Sequence, residues 1–124
     1  MGEKFKCGQQ TNKKEKNKKD KVTAGRDAMG TFAPKFAELN DDVLFDEVWS
    51  REDKLSPRDR SLITLSALMA SGILDFLLLH HIERAKANGV TKEEMAQALT
   101  PLAFYGGWPK AWAVLRMAKE AYGE

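Results

Sequence analysis

The 124-residue chain has 20 basic and 18 acidic residues, a net charge of +2 and 43% hydrophobic residues. This composition is typical of one folded domain with a charged surface, and the length excludes two domains with separate large cores. Cys7 is the only cysteine, which excludes an internal disulfide and a CxxC redox pair. The charged N-terminus lacks the apolar stretch of a signal peptide, so we expect a cytoplasmic protein.

The first 21 residues form a lysine-rich arm. Eight lysines against three acidic residues give it a net charge of +5, whereas residues 22–124 carry −3. A basic arm can bind nucleic acid or acidic lipid headgroups. Phe5 is its one aromatic residue, so a stacking platform for bases is missing and a nucleic-acid partner is disfavoured. We expect residues 1–21 to be flexible or partly helical, and residues 22–124 to form one domain.

The next segment predicts helices from Pro34 to Trp49. Apolar residues recur there at spacings of three and four, which is typical of an amphipathic helix. Asn40-Asp41-Asp42 interrupt the pattern and predict the end of one short helix and the cap of the next. No segment of the chain shows sustained alternation of apolar and polar residues, so the predicted fold class is all-α, with five or six helices.

The central stretch, residues 55–89, carries clear helix boundaries. Ser56 and Pro57 read as an N-cap and a first-turn proline, and Asn88-Gly89 can close a helix. Gly72 divides two helices or kinks one. The apolar run from residue 62 to 79 is long enough to span a membrane, but Asp75 and the charged flanks favour a buried helical pair.

The C-terminal part predicts two more helices. Thr91–Glu94 forms a capping box, and Pro101 predicts a kink or a break in the helix that follows. Pro109 is suited to begin the last helix, which we expect to bury Trp112. The helix predicted from Ile73 to Ala87 is apolar around more than half its circumference, so we expect the chain to associate with other copies.

Acid–base chemistry is the main catalytic possibility in the sequence. His80 and His81 are adjacent, point about 100° apart on a helix and cannot easily share an ion, so no metal is expected. His81 falls on the apolar face, where its pKa should lie near or below neutrality, as proton transfer requires. A core histidine bonded to backbone or carboxylate is the alternative. Glu47 and Arg51 also fit an ordinary surface ion pair.

Several pieces in a fixed order resemble the carboxymuconolactone decarboxylase family over roughly residues 32–120. They are Glu47-Val48-Trp49-Ser50-Arg51, Arg58-Asp59-Arg60-Ser61-Leu62, His81 eight residues before Gly89, Thr91-Lys92-Glu93-Glu94 and Tyr105-x-Gly107-x-Pro109. The resemblance implies an all-α, alkylhydroperoxidase D-like helical bundle that assembles as a homo-oligomer, a hexamer or alternatively a trimer. It implies no cofactor and a small-molecule carboxylate substrate.

The resemblance also separates two activities. The peroxidase branch of this superfamily uses a CxxC pair whose cysteines would fall at Leu74 and Leu77, so disulfide-based peroxide reduction is disfavoured. A carboxy-lyase that acts on a small carboxylated lactone, in aromatic compound catabolism, is the implied function. The alternatives are a related enzyme on a different small acid and a non-catalytic oligomeric binding or scaffold protein.

The resemblance assigns roles to individual residues. His81 is the expected proton donor or oxyanion partner, with His80 as its rival. Arg51 is expected to hold a substrate carboxylate and Glu47 to orient His81 or move the proton. The remaining residues expected to bind substrate are Trp49, Arg60, Tyr105 and Trp108.

Overall fold

A computed structural model describes residues 21–124, so Cys7 and nearly all of the predicted basic arm lie outside the described residues. The described part contains six α-helices, one π-helix and no strand, which confirms the all-α prediction. None of these helices is long and apolar enough to cross a membrane. The residues group into two compact units that meet between Ser56 and Pro57, and each is described by itself. The single domain expected over residues 22–124 stays a prediction.

The first unit contains α1 (Ala24–Met29), α2 (Pro34–Glu38) and a π-helix (Leu39–Val48). Pro34 occupies the first turn of α2, as predicted. The π-helix follows α2 without interruption and runs through Asn40-Asp41-Asp42. The predicted helix end at these residues is therefore wrong, and the reason lies in what Asp41 binds.

Asp41 caps α1 instead of its own helix. Its side chain is buried, and Oδ1 accepts a hydrogen bond of 2.7 Å from the backbone N–H of Gly25. Oδ2 accepts one of 3.0 Å from the backbone N–H of Arg26. These N–H groups lie in the first turn of α1, where no intrahelical acceptor exists. A Cβ atom on Gly25 would lie 2.6 Å from Asp41 Oδ1, so this close approach requires glycine.

The core of the first unit is small. Val22 and Phe45 are buried, and Trp49 packs against Phe45 with ring centroids 6.0 Å apart and 27° between the planes. Phe32 and Phe36 remain exposed at 87% and 60%. These two aromatic side chains therefore lie outside the core of the first unit.

The second unit is a bundle of four helices: α3 (Pro57–Ala70), α4 (Phe76–Ala87), α5 (Lys92–Gly106) and α6 (Trp108–Ala121). The closest packing joins α5 to α6 and α3 to α4, and α4 also packs on α6. A single apolar core lies between them. Its large, fully buried side chains are Leu65, Met69, Leu78, Ile82, Met95, Leu99, Val90 and Val114.

The boundaries of α3 and α4 follow the predicted signals, with one shift. α3 begins at Pro57, and Gly72, with φ of +83°, separates the two helices. α4 begins at Phe76 instead of Ile73, because Asp75 is its N-cap and accepts a 2.9 Å hydrogen bond from the backbone N–H of Leu77. The helix ends at Asn88-Gly89, as predicted.

α5 confirms one prediction and corrects another. The Thr91 hydroxyl accepts a hydrogen bond of 3.1 Å from the Glu94 backbone N–H, and Glu94 Oε1 accepts one of 3.0 Å from the Thr91 backbone N–H. This is the predicted capping box. The helix then continues through Pro101 to Gly106, so the alternative of a break at this proline is wrong. Pro101 lies on the exposed side of α5.

α6 begins directly after Gly107, and Pro109 lies in its first turn, as predicted. The predicted burial of Trp112 is wrong, because its side chain is 60% exposed. Ala111, Val114 and Ala118 face the core instead. These small side chains allow α6 to approach its neighbours closely, and this places the large indole outside the core.

Candidate active site around His81

His81 lies on the part of α4 that faces the core of the second unit. Leu78, Ile82 and Ala85 of the same helix are fully buried, and His81 itself is partly buried. Its Nδ1 atom is buried and has no hydrogen-bond partner in the described part of the chain. Since buried polar atoms are normally hydrogen-bonded, this nitrogen offers a binding partner to a ligand. The second unit therefore places a polar group of catalytic type beside an apolar core.

Burial controls the charge of this histidine. Burial, together with the smaller effect of the positive charge of Arg84, lowers the pKa of His81 from 6.5 to about 4. The direction confirms the sequence prediction of a pKa at or below neutrality. At neutral pH the imidazole is uncharged, so one nitrogen carries a proton and the other is an acceptor.

Arg84 is a residue that the sequence reasoning did not single out. It follows His81 by three residues, one turn along α4, and is only 7% exposed. A guanidinium so deeply buried is rare and has a large electrostatic effect on its neighbours. The spacing of three residues from His81 was the signal that could have indicated it.

His80 also contacts the candidate residue. The two imidazole rings meet edge to face, with centroids 5.4 Å apart and 79° between the planes. His80 is partly buried, like His81. The structure therefore keeps both histidines close together, and the assignment of the catalytic role to His81 stays a prediction.

The other predicted residues of the second unit lie on three helices. Arg60 is partly buried on α3. Tyr105, near the end of α5, is 91% exposed, and Trp108, at the start of α6, is 56% exposed. The ring of Trp108 meets that of Phe104 edge to face, with centroids 5.6 Å apart. Neither predicted aromatic residue belongs to the core, so both present large surfaces to a ligand or a partner.

Three predicted site residues belong to the first unit. Glu47, near the end of the π-helix, and Arg51, in the following turn, are both exposed. The Glu47 carbonyl accepts a hydrogen bond of 3.3 Å from Ser50 Oγ, which fixes the start of this turn. Trp49 is partly buried through its packing on Phe45. The roles expected for these residues stay predictions.

Within residues 21–124, the structure brings together no group of three or more histidine, cysteine, aspartate or glutamate side chains that could hold an ion.

Comparison with known proteins gives concordant results. The sequence model of the carboxymuconolactone decarboxylase family matches residues 34–120. The 4-carboxymuconolactone decarboxylase of Acinetobacter baylyi is 32% identical over 101 residues, which cover 82% of this chain and 74% of that protein. A protein described as an uncharacterized 15.0 kDa protein in the nqo9-nqo10 intergenic region of Paracoccus denitrificans is 30% identical over 84 residues, 67% of this chain and 62% of its own length.

The family match covers most of the chain and contains all the predicted site residues, from Glu47 to Trp108. The helical architecture agrees with the fold that the resemblance implied. The chain belongs to the carboxymuconolactone decarboxylase family.

Proposed function

We propose that the protein is a cofactor-independent decarboxylase of a small carboxylated lactone, similar to 4-carboxymuconolactone. The observation that carries the proposal is the buried Nδ1 atom of His81, which has no hydrogen-bond partner among the described residues, in a chain of this family. The relative named 4-carboxymuconolactone decarboxylase supports the substrate class. Because one fold hosts many reactions, the residues around His81 must carry the mechanism.

The decarboxylation requires only a few contributions from the side chains of the protein. The carbon–carbon bond to the carboxylate breaks, carbon dioxide leaves, and the electron pair moves through the ring double bond to the lactone carbonyl oxygen. A proton then adds to carbon and regenerates a neutral lactone. The enzyme has to hold the substrate, stabilise the oxyanion of the dienolate and assist its protonation.

An uncharged His81 suits the second and third tasks. With its pKa lowered to about 4, the imidazole is neutral before substrate binds and can donate one hydrogen bond to the developing oxyanion. In this proposal the ring stays neutral throughout: its N–H proton passes to carbon while its other nitrogen takes up a proton from solvent, so no imidazolate forms. A neutral donor avoids the cost of keeping an imidazolium in a partly buried place.

The remaining roles belong to the same proposal. Arg51 would bind a substrate carboxylate, for which its exposed guanidinium is suited, and Glu47 would assist proton movement. Substrate contacts are proposed for Trp49, Arg60, Tyr105 and Trp108. A place in aromatic compound catabolism rests on the family resemblance alone, and the cytoplasmic location stays a prediction from the sequence.

The proposal also includes assembly into a homo-oligomer, a hexamer or alternatively a trimer. It is supported by large apolar side chains that the described chain leaves exposed, such as Phe32 at 87%. Sedimentation velocity of the purified full chain measures the mass of the assembly. A monomer across the accessible concentration range would contradict this part of the proposal.

The test is turnover of 4-carboxymuconolactone, followed by ultraviolet absorbance, with the wild-type protein, His81→Gln and His80→Gln. The second variant is the matched control, because it removes the neighbouring imidazole of the same helix. We expect His81→Gln to lose about 100-fold or more in rate and His80→Gln to stay within a few-fold of wild type. Circular dichroism and sedimentation verify that both variants fold and assemble.

Two results would contradict the proposal in different ways. No turnover by the wild-type protein would exclude this lactone as the substrate. Normal turnover by His81→Gln, with a large loss in His80→Gln, would move the catalytic role to the other histidine.

A further inference from the structure

A groove lies between α5 and α6 in the second unit, and Trp108 is the one residue of the decarboxylase proposal that lines it. Its volume is about 330 Å³, which falls in the range typical of small-molecule sites. Ala103 of α5 and Leu115 of α6 line it, together with the indole rings of Trp108 and Trp112. None of its lining residues lies on α4, so His81 does not reach it.

The two indoles are unusual for an unoccupied surface. Trp108 and Trp112 are 56% and 60% exposed and lie one turn apart on the same side of α6. Large rigid rings with this exposure mark binding surfaces, because their apolar faces gain free energy when a ligand covers them. Flat rings are the ligands that such faces bind best.

The charge along the groove is asymmetric. The aromatic residues come first along α6, and two cations, Arg116 and Lys119, follow them on the groove. The guanidinium of Arg116 lies over the Trp112 ring, 5.9 Å from its centroid, which holds it at the edge of the apolar surface. The groove is therefore apolar at one end and positively charged at the other.

Nothing acidic in the lining cancels this charge. Among residues 21–124, no aspartate or glutamate lines the groove. Lys119 acts electrostatically on Glu124, but Glu124 lies outside the lining and is held by an ion pair with Lys92. The hydroxyl of Thr100, a lining residue, donates its hydrogen bond to the Ala96 carbonyl at 2.7 Å. The two cations are thus the groups available for an anionic ligand.

We propose that this groove binds a small, flat, apolar monocarboxylate, with its ring against Trp108 and Trp112 and its carboxylate on Arg116 and Lys119. The charge complementarity selects an anion, and the indoles select a planar body. The inference goes beyond the decarboxylase proposal, since binding here requires neither turnover nor His81. A second copy of the chain is the competing occupant of the groove, and the test distinguishes it.

The test is isothermal titration calorimetry of the full chain with 2-naphthoate as the probe. 2-Naphthalenemethanol has a similar shape but no charge, and we expect it to bind about tenfold more weakly. The double variant Arg116→Gln/Lys119→Gln should weaken naphthoate binding about tenfold or more. Both residues are exposed, so the variant should fold normally. Lys54→Gln removes one exposed charge that is not part of the groove lining; it is the control and should bind as wild type.

His81→Gln separates this proposal from the catalytic one. We expect it to bind naphthoate with wild-type affinity even if decarboxylation is lost. Equal affinity for the acid and the alcohol, or unchanged binding by the double variant, would overturn the proposal. An absence of naphthoate binding, together with a lower sedimentation mass of Trp112→Ala, would also overturn it and assign the groove to a contact between copies.

Discussion

The backbone N–H of Gly25 donates a 2.7 Å hydrogen bond to Asp41 Oδ1, although the two residues lie 16 positions apart in the sequence. Asp41 is 1% exposed, so water cannot replace this acceptor. Through the second bond, from the Arg26 backbone N–H, the same carboxylate binds two neighbouring donors of α1. One side chain of the π-helix thus connects this helix to the first turn of α1.

Asp41→Ala should lower the free energy of unfolding by about 2–4 kcal/mol, because it leaves the buried N–H group of Gly25 and the partly buried N–H group of Arg26 without their acceptor. Urea denaturation followed by circular dichroism measures the loss. Asp42→Ala is the control, since Asp42 forms its ion pair with the exposed side chain of Arg26. We expect a clearly smaller loss there. Equal losses in the two variants would show that the Asp41 cap contributes no more to stability than the exposed ion pair of Asp42 does.

The burial of His81 should appear as a pH-dependent stability. The folded pKa of about 4 lies below the ordinary value of 6.5, so between these values the unfolded chain binds a proton that the folded chain does not. Above pH 6.5 the lowered pKa of His81 therefore does not destabilise the fold. As the pH decreases from 6.5 towards 4, the free energy of unfolding falls, because protonation favours the unfolded chain. The slope is at most about 1.4 kcal/mol per pH unit.

The measurement compares the urea unfolding free energy of wild type and His81→Gln from about pH 7.5 to about pH 4.5. The variant should lose less stability on acidification than wild type does. His80→Gln, which keeps His81, should follow the wild-type curve more closely. Identical pH dependence of wild type and His81→Gln would contradict a depressed pKa.

Pro101→Ala should stabilise the protein. Proline in the interior of α5 has no N–H for the carbonyl of Gln97, and alanine would restore that bond at an exposed position. We expect a gain of about 1–3 kcal/mol in thermal or urea unfolding. Pro109→Ala is the matched control, because a first-turn proline of α6 gives up no helical hydrogen bond and should show little change. A loss of stability in Pro101→Ala would indicate that packing of α5 needs the proline.

Helix boundaries were predictable where the residues that mark them lie within one helical turn of the boundary. Pro34, the capping box of Thr91–Glu94 and Asn88-Gly89 act on backbone groups next to them, so the sequence is enough to interpret them. Asp75, the N-cap of α4, gives a signal of the same kind, which the predicted start at Ile73 missed. Its charge within an apolar run argued against a membrane span, and its role as the cap of α4 follows from the same position.

Features that depend on distant contacts were not predictable. Asp41 looked like a local helix breaker because its partners, Gly25 and Arg26, are brought to it by the fold. The apolar residues of α6 form two stripes along the helix. Ala111 and Val114 belong to the stripe that faces the core, whereas Trp112 lies outside the core, and periodicity alone does not distinguish the two stripes. In the candidate site, the apolar face identified His81, but its pKa depends on how deeply the fold buries its own ring and on the nearby charge of Arg84.

The linker between α5 and α6 consists of Gly107 alone, whose φ of +119° favours glycine. Contacts across this pair are therefore local in sequence, and closing so short a loop costs little chain entropy. Contacts of this kind speed folding, so we expect α5 and α6 to pair early on the folding pathway. The groove between them would then exist before the segment that carries His81 has packed.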